Sequence, residues 1–352
     1  MRINHISGLK GLAIIQVVFM HFYLVLQTSM SVHCIPKAPH LFVNGSFAVC
    51  LFLILSGYVI SLSSVKILHL GQLSSSIVKR YFRIAVPISM IVVIAYILYL
   101  WGLYRIQELA TDTNNELAAF YYKNISFRSF VENLLFSPLG CHEVLAPCWM
   151  LGYIFFGTVF VYILKICIRP LCFTNQIVVL LFAMYGFYIF SSILWSCVVF
   201  GVLTQVIDEK LPTMHKNKAT IILSFMLLLG GVYVQSIPYN VINTDYKINS
   251  ISAILVWMGV NYNKPLRIAL SIRPLVWFGN ISFSVYLVHW PVICTITCYL
   301  YYGLSKLNYI TMLWINIAIT LFVIILISTL YHKFIEEKST VVVSKIMQLY
   351  NR

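Results

Sequence analysis

Two side chains that are costly to bury in lipid stand in the first apolar stretch of this 352-residue chain, Lys10 and His21. The residues between them make about three helical turns, so both lie within about 20° of one helix face, about 16 Å apart along the axis. They cannot touch, and instead mark two depths of one polar track. An ionisable group inside a span points to function by default. Lys10 has a bland alternative in snorkelling to the inner headgroups, and His21 in a packing role with a satisfied ring. A neutral imidazole, with an ordinary pKa of about 6.5, suits general-base work at neutral pH. His21 is the candidate catalytic residue.

Three other stretches carry usable chemistry. Residues 79–83 read Lys-Arg-Tyr-Phe-Arg, followed by Pro87. Lys79, Arg80 and Arg83 put three cations on one helical turn, enough to clamp the phosphates of a nucleotide-bearing donor or simply to anchor a span at the membrane surface. In 277–291, Ser282, Tyr286 and His289 recur at helical spacing and form one polar stripe, structural or lining an acceptor path. Residues 51–58 place Ser56 and Gly57 where helices can approach closely. Phe334-Ile-Glu-Glu337 sets two carboxylates where the last span ends.

The elements that must position these groups are membrane spans. Hydrophobic residues make up 61% of the chain and charged residues 10%, with a mean hydropathy of +0.89. A soluble exterior does not tolerate that composition. Runs long enough to cross a bilayer fall near 6–28, 42–62, 84–104, 148–168, 175–191, 192–208, 219–236, 250–262, 275–300 and 310–332, the fifth and sixth being separate or one broken segment. The expected fold is an all-α bundle of about ten transmembrane helices in a single domain, 1–352, with no appended soluble domain. The N-terminal run carries charge and lacks a small-residue cleavage site, so it reads as a span and not as a cleaved signal.

A formal charge of +14 invites a nucleic-acid reading, but placement argues for lipid. With the N-terminus inside, the inner loops hold Lys66, Lys79, Arg80, Arg83, Lys165, Arg169, Lys210, Lys216, Lys218, Lys264, Arg267 and Arg273, and the tail adds Lys333, Lys338, Lys345 and Arg352. The outer loops hold only Lys37, Arg105, Lys123, Arg128, Lys247 and Lys306. This bias predicts N-in and C-in, with basic loops against anionic lipid. The longest outer loop, about 105–147, concentrates Glu108, Asp112, Glu116, Glu132 and Glu143, and its 129–136 piece is weakly amphipathic. Nine cysteines show no metal-ligand spacing. Cys34, Cys141 and Cys148 lie in or beside outer loops, where a disulfide is chemically allowed.

These motifs together resemble the acyltransferase-3 family of membrane-bound acyltransferases, over nearly the full length. The family's basic residue, ten others and a His correspond to Lys10 and His21, within Gly-Leu-Lys-Gly-Leu-Ala. Its Phe-Phe-x-Leu-Ser-Gly reads Leu51-Phe-Leu-Ile-Leu-Ser-Gly57 here, and its basic motif is matched by Lys79, Arg80 and Arg83. The late Gly-x-Ile-Ser-Tyr-Ser-x-Tyr-Leu-x-His-x-Pro signature is matched from Gly279 to Pro291, with Phe283 in place of Tyr. Two departures stand out. Ser7 replaces the family's usual Asp, and the fourth span keeps Trp149 but lacks the Glu pair that follows it in many members. The chain then either does without those carboxylates or draws on Glu132 or Glu143 to orient His21.

The resemblance implies O-acyl transfer, most often of acetyl, from cytosolic acyl-CoA to a hydroxyl of an envelope polysaccharide or its lipid-linked precursor, in the stand-alone form typical of O-antigen and exopolysaccharide O-acetyltransferases. Acetyl-CoA enters as donor substrate, bound by Lys10, Lys79, Arg80 and Arg83, with no permanently bound cofactor, no metal and no nucleic acid. The expected partners are acyl-CoA, a glycan or lipid-linked oligosaccharide and membrane lipid, in a bacterial inner membrane. Two rival classes are a flippase for a polyisoprenoid-linked sugar and an envelope glycan polymerase. Neither requires acyl-CoA.

Overall fold

The computed structural model describes residues 3–26, 40–64, 70–106, 108–109, 125–211, 218–237 and 245–350. It is all helix, with no strand among the described residues. The long helices are α1 (Asn4–Leu26), α2 (Gly45–Ser64), α3 (Leu70–Leu100), α4 (Phe127–Phe136), α5 (Trp149–Ile168), α6 (Phe173–Phe190), α7 (Ile193–Lys210), α8 (Lys218–Ser236), α9 (Tyr246–Asn261) and α10 (Arg273–Val292). After a π-helical turn over Ile293–Thr297 come α11 (Cys298–Gly303) and α12 (Tyr309–Tyr331). A second π-helical turn, His332–Glu336, leads into α13 (Glu337–Tyr350).

Among the described residues, eight segments are long and apolar enough to cross a membrane, and several are turned inside out relative to a soluble helix. On α12 the buried residues are Met312, Asn316, Thr320, Ile324, Ser328 and Tyr331, while Trp314, Phe322 and Leu326 are exposed. The buried positions of α8 are Ser224, Gly231 and Gln235, with Ile222, Leu223 and Met226 facing outward. Lipid tails are as apolar as Leu, so the hydrophobic effect does not drive such side chains inward and polar or small residues make the helix contacts. The chain is a multi-pass membrane protein.

The helices α7 and α9 fill the sixth and eighth expected spans but are absent from those eight segments. The reason is length and charge: α9 has 16 residues, and α7 ends in Asp208-Glu209-Lys210. Most of α7 is buried, including Ser196, Thr204 and Gln205, and α9 buries Asn249, Ser250 and Ser252. Helices shielded by other helices need not be apolar all round. The fifth and sixth runs are distinct helices, because Ser192 breaks the path after Phe190 and its hydroxyl accepts from the Leu194 N–H at 3.3 Å to start α7.

Two expected boundaries move. The third helix begins at Leu70, well before 84, so the basic cluster lies inside it. Hydroxyls of Ser74 and Ser76 bond back to the carbonyls of Gly71 and Gln72 and keep polar residues compatible with the helix. At the other end, the helix passes through Phe334-Ile-Glu-Glu337 and does not stop there.

The chain divides into two compact units. The first comprises residues 1–16, 39–78 and 153–280, and is built on close backbone contacts. A Cβ added to Gly57 would overlap the Val198 carbonyl oxygen, and one on Gly201 would overlap that of Ile54. Gly57 is therefore the close-contact residue of its pair in α2, with Ser56 half-buried beside it. A Cβ on Gly8 of α1 would run into the Leu270 carbonyl oxygen, and one on Gly279 of α10 into that of Ser7. The glycines of the first and last sequence motifs are thus packing residues. Gly279→Val is expected to remove most of the folded protein, as overpacking against backbone costs upwards of about 1–3 kcal/mol. Size-exclusion chromatography and thermal unfolding in detergent check this, and a monodisperse variant with unchanged melting would contradict it.

Polar side chains tie other helices of the same unit together. Asp208 accepts from the Tyr58 hydroxyl at 2.9 Å and from the Asn261 amide at 2.8 Å. Gln205 accepts from Ser61 at 2.6 Å and Lys165 at 2.9 Å, and donates to Glu209 at 3.1 Å. Shared acceptors satisfy polar groups that would otherwise be stranded in the interior.

The second unit comprises residues 17–38, 79–152 and 281–352. Within it Pro291 sits inside α10, where it removes a backbone donor and crowds the preceding turn. The wide turn that follows relieves this, and its carbonyls are satisfied from elsewhere. The Arg105 backbone N–H donates to the Cys294 carbonyl at 2.9 Å, and the Asn316 amide to that of Thr297 at 2.9 Å.

Candidate active site

His21 lies near the end of α1, within the second unit, and its surroundings come from α10. Its ring centroid is 5.1 Å from that of His289, tilted by 37°, and 5.1 Å from Trp290, edge to face. His289 is fully buried and His21 is 9% exposed, so this imidazole pair is closed on most sides. The His289 Nδ1 lies 3.1 Å from the Val285 carbonyl, one turn earlier on its own helix. A carbonyl can only accept, so Nδ1 carries the proton and Nε2 of the neutral ring keeps its lone pair. That Nε2 and the Nδ1 of His21 are both buried with no hydrogen-bond partner among the described residues.

The polar stripe of α10 therefore splits by role. Tyr286 donates its hydroxyl to the Pro147 carbonyl, tying α10 to the short turn that precedes Trp149, and its ring lies 6.0 Å from that of His289. Ser282 is buried one turn below. His289 combines the satisfied packing role with a position against His21, which its spacing alone does not reveal. Trp290 has no part in the stripe, yet forms the second wall of His21.

No carboxylate orients His21 among the described residues. Glu132 is held by Arg128, at 2.8 Å on its own helix, and Glu143 is exposed; Asp112 and Glu116 lie outside the described residues. The segment before Trp149 is instead pinned by Asn133, whose side-chain oxygen accepts from the Val144 N–H at 3.2 Å, and by Tyr104, whose hydroxyl donates to the Val144 carbonyl at 3.3 Å. Cys141 and Cys148 are free thiols, and Cys34 lies outside the described residues. Burial and the nearby Glu132 and Glu143 raise the Cys141 thiol above its ordinary pKa. No group of three metal-ligating side chains forms among the described residues.

A further polar centre of this unit is built on Glu336. Its carboxylate accepts from the Ser284 hydroxyl at 2.6 Å and lies 2.8 Å from the His332 Nδ1. Both carboxylates of the Phe-Ile-Glu-Glu run are visible in the sequence, but Ser284, the partner of Glu336, is not, because it is carried by another helix.

The three cations of α3 differ in exposure. Lys79 and Arg83 are exposed, whereas Arg80 is half-buried about 60° farther round the helix than Arg83. The helix is held in place by the Tyr81 hydroxyl, which donates to the Leu135 carbonyl at 2.6 Å, and by Ser89, which donates to Leu134 at 3.0 Å. Lys10 belongs to the first unit, half-buried on the same uninterrupted helix as His21.

No curated protein and no solved structure matches the chain at a significant level. An acyltransferase domain profile matches residues 3–333, which contain every motif that carries the resemblance. On that match the chain belongs to the acyltransferase-3 family.

Proposed function

We propose that this acyltransferase moves an acetyl group from cytosolic acetyl-CoA to a hydroxyl of an envelope polysaccharide or its lipid-linked precursor, in a bacterial inner membrane with both termini inside. The observation that carries this reading is the buried imidazole pair, His21 against His289. A hydroxyl must lose its proton to attack a thioester, and a neutral ring shielded from bulk water is the group suited to take it.

In this scheme His21 accepts the proton of the sugar hydroxyl as its oxygen attacks the thioester carbonyl. The tetrahedral intermediate then collapses, the C–S bond breaks, and the proton passes from His21 to the departing CoA thiolate. The balance leaves an ester and free CoA. His289, whose ring centroid lies 5.1 Å from that of His21, takes the orienting place that the missing fourth-span carboxylates would hold. The electrostatic share falls to the cations of α3, with Arg80 and Arg83 suited to phosphate by their forked geometry. Lys10 would add a positive charge along the α1 track.

Purified protein supplied with labelled acetyl-CoA and candidate glycans tests the reaction class. Label recovered on the glycan as an alkali-labile ester supports it. Movement of a lipid-linked sugar across vesicles without label transfer would assign the chain to a flippase role instead. For the clamp, Arg80→Gln with Arg83→Gln is expected to raise the donor KM about tenfold and leave the glycan KM unchanged. That contact should also weaken with salt, because exposed charges are screened. An unchanged donor KM, with only an insertion defect, would favour a simple membrane anchor.

A further inference from the structure

One face of α3 leads from charge into an open apolar groove. Lys79, Phe82, Arg83, Val86 and Met90 share a face within about 100° of arc. Phe82, Val86 and Met90 form one wall of a groove of about 400 Å³, and the π turn and α13 form the other, with Val342 and Ile346 among its residues. The lining is apolar apart from Lys338 and Ser339. Ser339 is turned away, donating to the Glu336 carbonyl at 2.9 Å.

One cation, Lys338, lines the groove, and Lys79 and Arg83 stand on the α3 face beside Phe82. The Lys338 ammonium lies 5.5 Å from the Phe334 ring centroid, and that of Lys333 5.7 Å from the same ring. The neighbouring acids Glu336 and Glu337 are not among the residues that line the groove. Glu336 is engaged by Ser284 and His332, and Glu337 lies 3.5 Å from the His332 Nε2. The groove is thus apolar along its walls and basic where Lys338 and the α3 cations stand. The occupant that fits both halves has an anionic head and hydrocarbon tails.

We propose that this groove binds an anionic phospholipid, its phosphate between Lys79 and Lys338 and a tail along Phe82, Val86 and Met90. The groove does not include His21, but it borders the α3 cations proposed for the donor, so free CoA is the competitor its test must include. The bound lipid would tie the basic end of α3 to the charge of the surrounding leaflet.

The test uses the full-length protein, delipidated in detergent and reloaded from vesicles of either phosphatidylglycerol or phosphatidylcholine, with retained lipid counted by native mass spectrometry. Retention of phosphatidylglycerol is expected to exceed that of phosphatidylcholine by about tenfold. Lys338→Gln should lower that preference about fivefold, the effect of one cation near an anionic surface. Val86→Trp, which fills the groove, should lower retention of both lipids. Equal retention of the two lipids by the wild-type chain would overturn the proposal, as would a Lys338→Gln variant with unchanged preference. Displacement of the lipid by free CoA would also overturn it, since the groove would then belong to the donor. If Val86→Trp fails to fold, Lys338→Gln decides the matter alone. No donor or acceptor is present, so loss of lipid selectivity and failure of acyl transfer are separate results.

Discussion

His21→Gln is expected to lower acyl transfer by about 10²–10⁴-fold, the range that a positioned general base contributes. Gln keeps much of the ring's length and polarity but cannot accept a proton at neutral pH. Expression, membrane insertion and monodispersity should be unchanged, because the substitution retains a polar group beside Trp290 and His289. Turnover of labelled acetyl-CoA with the variant and wild type side by side checks this. A Gln variant with near-normal turnover would remove His21 from the chemistry and leave it as a packing residue.

The second large effect concerns its neighbour. His289→Asn can keep a donor for the Val285 carbonyl but loses Nε2, the ring's buried proton acceptor. If His289 orients and shares the proton of His21, kcat should fall about 10–100-fold, with the donor KM unchanged. His289→Ala should fall at least as far and also lose thermal stability, since it leaves a cavity beside His21. The informative comparison is the pH profile. A partner in proton sharing shifts the acidic limb of kcat in the Asn variant, whereas a residue that only packs lowers stability and leaves the limb in place. An Asn variant with wild-type kcat and profile would return His289 to a purely structural role.

Much of this arrangement is legible in the sequence because lipid imposes harsh rules. Ten apolar runs, each bounded by charge or turn residues, announce ten long helices, and eight segments among the described residues satisfy the length and composition of spans. The two runs that fall short, α7 and α9, show where the rule weakens. One is only 16 residues long and the other ends in Asp208-Glu209-Lys210, and both, covered by their neighbours, carry polar residues such as Gln205 and Asn249 inside. Boundaries are less legible. Nothing between Leu70 and Val78 breaks a helix, so the third span extends beyond its apolar part. The site is half legible. The depth of His21 and its phase with Lys10 follow from spacing within one helix, and so does the stripe Ser282, Tyr286 and His289. Which groups meet across helices does not follow. The contact of His21 with His289 and Trp290, and that of Ser284 with Glu336, join residues far apart in the chain. A single sequence carries no signal for either pairing beyond the presence of polar residues where lipid disfavours them.

The two π-helical turns, Ile293–Thr297 and His332–Glu336, have a consequence for how these helices can evolve and move. A π turn is an α-helix that holds one residue more than its length requires. The first follows directly after His289 and Pro291, and the second contains His332 and Glu336. Each surplus residue rotates everything downstream by about 100° relative to an unbroken α-helix. Removing a single residue from either turn would therefore leave a more regular helix whose far side faces the wrong way. Conversely, the surplus can pass along a helix like a wrinkle in a carpet, turning side chains in its path while both ends stay anchored. The helices that present His289 and Glu336 are thus the ones with a spare residue to redistribute.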